Sequence, residues 1–274
     1  KNDDQISSAL IAWQGGMEGG LAAADILVGD VCSSGHLTDT FASSFAAYPS
    51  SANFAESRLY VEYQEDVFVG YRYFETIPGA AASVCYPFGY GLSYTTFALS
   101  DVRGGMNGAG EIALSATVTN TGLCAGKYVL QAYVNPPKGR IAKPATALVG
   151  FAKTRLLEPN ESETLTVSFA PYAFATYDDE GAVRKSAYVL EKGAYGFRVG
   201  ENVRETVNVD YRYELDDDAI LEQLSPKCAP TLLHCRMLAD GNYREIACAP
   251  ETPREDWRKL EGIPDEGQYP LENP

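Results

Sequence analysis

This chain of 274 residues has no apolar run near the roughly 20 residues that a bilayer-spanning helix needs. Histidine and methionine are scarce, at 2 and 3 residues. With only His36 and His234, a zinc centre has few nitrogen ligands to draw on. The six cysteines, Cys32, Cys85, Cys124, Cys228, Cys235 and Cys248, include no Cys-x-x-Cys pair. Cys228, Cys235 and Cys248 with His234 are the one grouping worth weighing as a metal site, and neither a metal nor another cofactor is expected. Basic residues are in deficit: 22 Lys and Arg face 37 Asp and Glu, a net charge of −15. Nucleic acid or an anionic membrane would need a basic face, so neither is expected as a partner. P-loop, dinucleotide-binding and serine-hydrolase motifs are absent. Scattered thiols with apolar neighbours fit the reducing cytoplasm. The start, Lys1-Asn2-Asp3-Asp4-Gln5, is polar and acidic, unlike a signal peptide, and without an initiator Met it reads as the middle of a longer protein.

What is present falls into three zones. Residues 8–14, Ser-Ala-Leu-Ile-Ala-Trp-Gln, form a short apolar run that reads as a buried strand of a parallel sheet. Gly15-Gly16-Met17-Glu18-Gly19-Gly20 follows as a turn, then residues 21–28 as an alanine-rich helix that Gly29 is placed to end. Strand, glycine turn and helix make half of a βαβ unit, and ligands of open α/β sheets gather where such a turn lies. Residues 30–55 are loop-like. Residues 59–64 and the β-branched, aromatic 67–74 predict one or two strands. Arg72 in that apolar setting predicts a carboxylate partner, Glu62, Glu65 or Asp66, with substrate contact as the other reading.

Beyond Phe97 the pattern becomes all-β. Candidate strands are 112–120, 127–134, 147–156, 163–169, 187–190, 193–199 and 206–213, separated by turn formers such as Asn107-Gly108, Pro136-Pro137 and Asp178-Asp179-Glu180-Gly181. About seven short strands at this spacing predict a two-sheet sandwich. Residues 214–274 carry 14 acids and 6 bases, more than half of the chain's charge imbalance. They read as an extended, partly disordered connector with at most one short helix.

The densest code is Tyr86-Pro87-Phe88-Gly89-Tyr90-Gly91-Leu92-Ser93-Tyr94-Thr95-Thr96-Phe97. Glycines permit a tight turn and close approach, aromatics bring apolar surface to it, and the β-branched end favours a strand. This run resembles a signature of glycoside hydrolase family 3, the β-glucosidase family. Trp13-Gln14-Gly15-Gly16-Met17-Glu18-Gly19-Gly20, Ala23-Ala24-Asp25-Ile26-Leu27 and Ser34-Gly35-His36-Leu37 are similar to that family's glycine turn, helix and following loop, although Cys32-Ser33 stand where the family has Asn-Pro. Val118-Thr119-Asn120-Thr121-Gly122, Leu148-Val149-Gly150-Phe151 and Gly193-Ala194-Tyr195 resemble its fibronectin type III-like domain.

The resemblance implies an α/β partial sandwich domain, 1–96, followed by an all-β fibronectin type III-like (immunoglobulin-like) sandwich, 97–213, and an acidic tail, 214–274, leading to a (β/α)8 barrel outside this sequence, in the reversed domain order. It implies a retaining β-glucosidase-type hydrolase acting on a small carbohydrate, whose two carboxyl groups sit about 5 Å apart. Neither is convincing here. Glu255-Asp256-Trp257 imitates the nucleophile motif but follows Thr252-Pro253-Arg254 instead of an apolar strand. Glu18 is the one acid on a strand-end turn, read as a supporting acid at the helix start ahead of an acid/base. Trp13 and Met17 are candidates to line the sugar cleft, with core packing the alternative for Trp13. The chain alone is expected to be inactive, its barrel and the sugar to be its partners, and a homo-oligomer to be one arrangement of the whole. A non-catalytic carbohydrate-binding or structural subunit is the rival reading.

Overall fold

Apolar and polar residues alternate along Ile112–Asn120, and in the computed structural model this segment is a strand with Ile112, Leu114, Ala116 and Val118 fully buried. The structure describes residues 8–54, 61–229 and 233–246. The first half contains α1 (Gly19–Val28), β1 (Phe41–Ala42), α2 (Tyr71–Phe74) and β2 (Val84–Tyr86). The second begins with β3 (Phe97–Met106), β4 (Ile112–Asn120), β5 (Val129–Asn135), β6 (Ala147–Lys153) and β7 (Ser162–Phe169). It continues with β8 (Thr176–Asp178), β9 (Ala187–Leu190), β10 (Gly193–Gly200) and β11 (Thr206–Leu215). Then come β12 (Ala219–Gln223), β13 (Cys235–Met237) and β14 (Tyr243–Glu245).

Two antiparallel sheets, β3-β4-β7 and β11-β10-β5-β6, face each other as the predicted sandwich. Leu114, Val118, Leu130, Val134, Phe169 and Phe197 fill the space between them, each contributing roughly 1.5–3 kcal/mol by burial. One strand differs from expectation. Residues 187–190 do form β9, but it belongs to a separate sheet, β12-β9-β8. Its place in the sandwich is taken by β3, whose alternation is broken where Asp101 takes φ +50 and the register with β4 shifts between Ser100 and Arg103.

The α/β half also departs from its sequence pattern. Residues 8–14 form no strand and are exposed, because among the described residues no strand lies alongside to pair with them. The helix forms as expected, and Gly29 ends it in the left-handed conformation at φ +87. Residues 67–74 are not a strand: Asp66 at φ +55 and Gly70 at φ +56 break the extension, and Tyr71–Phe74 coil into one helical turn. Residues 59–60 lie outside the described residues. The acidic tail is not an extended connector as far as residue 246. β12 pairs with β9, and the β13–β14 hairpin buries Met237 against Phe68 and Ile77, its amide donating to the Gln64 carbonyl at 2.8 Å. Among the described residues no helix is long and apolar enough to cross a membrane.

One charged cluster pins the loop before β6 to the start of β10. The Glu191 carboxylate is buried, pairs with the equally buried Lys143, and accepts the amides of Arg140 at 2.7 Å and Ile141 at 3.2 Å. Burial alone would raise the Glu191 pKa, but Lys143 and the two amides hold it below the ordinary 4.5. Its stabilisation is complete above pH 4.5 and is lost as pH falls through the depressed value. Glu191→Gln leaves Lys143 buried without a counter-charge, so it should cost about 3 kcal/mol in chemical denaturation. The loss should shrink as the comparison is carried to acid.

Candidate functional site

The residues singled out for sugar contact share one turn. Trp13 at φ +48 and Gly16 at φ +66 bend the chain ahead of α1. A Cβ on Gly15 would come 2.7 Å from Gly19 Cα, so the turn closes only with glycine there. Glu18 occupies the N-cap: its carbonyl accepts the Ala22 amide at 3.0 Å, while its side chain makes no capping bond. Its carboxylate therefore stands at the positive end of the helix dipole. Trp13 is 68% exposed and Met17 99%, so core packing is not the role of either among the described residues. An indole, a thioether and a carboxylate on one turn can cover a pyranose face and accept its hydroxyls. Retaining hydrolysis needs a second carboxyl about 5 Å from the first, and the turn carries Glu18 alone. Glu255-Asp256-Trp257 and Cys248 lie outside the described residues. Among the described residues no three His, Cys, Asp or Glu side chains converge as a metal-binding set.

Arg72 departs from expectation. It is exposed on α2, its guanidinium 6.0 Å from the Tyr71 ring centroid instead of paired with Glu62, Glu65 or Asp66. Two of those acids hold the tail hairpin. Glu62 accepts the His234 amide at 3.0 Å and meets its Nδ1 at 2.6 Å, and Asp66 lies 3.0 Å from Arg236 Nε.

The aromatic and glycine run is the seam that fixes the turn in space. Gly89 turns at φ +80, its amide donates to the Leu37 carbonyl at 2.8 Å, and the Leu37 amide donates to Tyr90 at 2.7 Å. Phe88 stacks on Tyr71 at 4.4 Å, and Tyr71 meets the edge of Tyr133 on β5. The Gly89 carbonyl accepts Gln131 Nε2 at 3.1 Å and contacts His36 Nδ1 at 2.5 Å. Thr95 Oγ1 donates to the buried Asn120 Oδ1 at 2.7 Å, and Asn120 Nδ2 donates to the carbonyls of Cys124 and Leu157, each at 2.8 Å. Tyr94 completes the chain of contacts: its hydroxyl donates to the Ile26 carbonyl at 2.7 Å, and its amide donates to Cys32 Sγ at 3.3 Å. The last turn of α1, and so the Trp13–Glu18 turn at its other end, is tied to the sandwich through this run. The sequence pattern does not show the Cys32 and Asn120 contacts; Asn120 is marked only by its place in the Val118–Gly122 motif and at a strand end ahead of Thr121-Gly122.

Two outcomes test the seam. A Cβ on Gly91 would sit 2.4 Å from the Gly35 carbonyl oxygen, a backbone atom that no rotamer change can move. Gly91→Ala should therefore destabilise the protein by about 1–3 kcal/mol in urea unfolding. The second concerns Glu201, whose carbonyl accepts the Gln131 amide. A hydrogen bond to Glu205, then burial, then repulsion from Glu205 raise its pKa to about 7. The stabilisation it brings is complete below pH 4.5 and declines as pH rises through about 7. The melting temperature should fall over that window, and Glu201→Gln should flatten the decline.

With this geometry in place, comparison with known proteins is specific. Residues 1–94 match the glycosyl hydrolase family 3 C-terminal domain, and residues 128–203 match a fibronectin type III-like domain. Beta-glucosidase A of Butyrivibrio fibrisolvens is 53% identical over 260 residues, covering 90% of this chain and 31% of the relative. A beta-glucosidase of Ruminococcus albus is 41% identical over 232 residues, covering 84% and 24% respectively. The crystal structure of a beta-glucosidase from Paenibacillus barengoltzii superposes with a TM-score of 0.76 at 43% identity, covering 92% of this chain and 28% of that one. The chain thus spans about a third or less of the length of the proteins it matches. Two domain matches, the seam between them and the superposition place this chain in glycoside hydrolase family 3, with residues 1–94 matching its C-terminal domain and residues 128–203 a fibronectin type III-like domain.

Proposed function

We propose that this chain works as the bracing, cleft-forming part of a retaining β-glucosidase-type hydrolase that releases terminal β-linked sugars. Its likeness to β-glucosidases along nine-tenths of its length carries this reading. In it, the turn of Trp13, Met17 and Glu18 forms part of the sugar-facing wall, and Trp13 offers a stacking face. The nucleophile and the acid that protonates the leaving oxygen come from segments outside this sequence, including a (β/α)8 barrel.

The surface of α1 supports the same picture. Leu21, Leu27 and Val28 are each at least 66% exposed, and the helix buries no residue within this chain. A ten-residue apolar helix is stable in water only when packed, and the remainder of the enzyme supplies that cover. The compartment in this reading is the cytoplasm, and self-association of the whole enzyme is compatible with it.

The test is an assay with an aryl β-glucoside. The chain alone should give no turnover, and the complete enzyme should. In the complete enzyme, Trp13→Ala should raise KM roughly fivefold with a smaller change in kcat, the pattern for a lost stacking face. Glu18→Gln should leave most of kcat in place. Turnover by this chain alone that Glu18→Gln abolishes would overturn the assignment of the reacting carboxyls to other segments.

A further inference from the structure

A cleft of about 440 Å³ opens where the end of α2 meets the sandwich, lined by Glu75, Asn135, Thr146, Arg198 and Arg204 among others. It is remote in role from the Trp13–Glu18 turn, sharing no residue with it. Its charges do not balance. Arg204 Nε donates to Glu75 at 2.8 Å, so that pair is satisfied. Arg198 is half-buried on β10, and its three guanidinium nitrogens donate only to neutral oxygens: Asn135 Oδ1 at 2.9 Å, Thr206 Oγ1 at 3.0 Å and Thr146 Oγ1 at 3.0 Å. Among the described residues no carboxylate lies within 4.0 Å of it. A guanidinium has five N–H donors, so two on the terminal nitrogens stay available.

The setting is built to hold this side chain still. Asn135 is itself oriented by donation of its Nδ2 to the Ala145 carbonyl at 2.7 Å. Thr146 is buried, and the strands carrying Asn135 and Arg198 pair side by side. Three neutral acceptors therefore fix the guanidinium without neutralising it. A partly desolvated cation held in that way is costly unless an anion joins it. Arg198, Arg204 and Glu75 together leave the cleft with one surplus positive charge in a chain of net charge −15.

We propose that this cleft binds an oxyanion, a carboxylate or a phosphoryl group, through the two remaining N–H donors of Arg198, with Arg204 as the second cation. A planar fork with paired donors suits both groups.

The test is calorimetric titration of the intact protein with inorganic phosphate and, in a second arm, with malonate, at constant ionic strength set by sodium chloride. Saturable binding of at least one is expected, with a rise in melting temperature; phosphate alone identifies a phosphoryl site, and malonate alone a carboxylate site. Arg198→Gln should abolish binding, whereas Glu75→Gln, which raises the surplus charge, should tighten it by roughly fivefold. Arg204→Gln releases Glu75 to face Arg198 and should weaken binding by a similar factor. Circular dichroism checks that each variant is folded, and Glu75→Gln reads the proposal even if Arg198→Gln does not fold. Absence of saturable binding in both arms, or unchanged binding in Glu75→Gln and Arg204→Gln alike, overturns it.

Discussion

The outward face of β5 is the constraint on which the rest depends. A strand of a two-sheet sandwich ordinarily buries one face and wets the other. β5 buries both: Leu130, Ala132 and Val134 point into the sandwich core, while Gln131 and Tyr133 are covered by the α/β half. A buried glutamine must find partners, and Gln131 finds them in the Gly89 and Glu201 carbonyls. Tyr133 adds a hydroxyl donated to Gln131 Oε1 at 2.5 Å. That close approach leaves no room for a side chain at position 89, since a Cβ there would lie 2.2 Å from Gln131 Oε1. The glycine run, the loop carrying His36, Cys32 and finally α1 follow in sequence from this one face.

Charge does much of the remaining fastening, despite the acidic balance of the chain. Asp178 is buried and accepts four successive amides, from Gly181, Ala182, Val183 and Arg184, at 2.6–3.0 Å. Burial would raise its pKa, yet the amides hold it below 3.8. The loop folded in this way presents Asp179 and Glu180 to Arg236, which also meets Asp66. One arginine of the tail hairpin thereby joins the α/β half to the loop between β8 and β9. The described β13–β14 hairpin holds its place because its cations meet carboxylates already fixed in place, which is a property of the tertiary structure and not of composition.

The sequence disclosed what local pattern governs. β4, β7, β10 and β11 were legible from alternation and turn formers, and α1 from its alanines and Gly29. The start of β3 was legible in the β-branched end of the Tyr86–Phe97 run, but its length was hidden because a bulge at Asp101 and two glycines, Gly104 and Gly105, erase its period. Residues 67–74 misled because β-branched and aromatic composition suggests extension, whereas the positive φ values of Asp66 and Gly70 are set by packing. β13 and β14 were illegible because their stability comes from distant partners, such as Glu62, which lies 172 residues from His234. The family signature located the seam correctly, but nothing local revealed that Gln131 and Asn120 would be its anchors. Of the Trp13–Glu18 turn, the glycine bend was legible and the exposure of its side chains was not, because a tryptophan beside Leu10 and Ile11 reads as core.

Through the seam, the two halves form a single cooperative unit. Differential scanning calorimetry of the folded protein measures this directly by comparing calorimetric with van't Hoff enthalpy. One transition with equal enthalpies is expected, moved as a whole by a change at Gly91. Two separated transitions, with only the earlier one responding to that change, would contradict it.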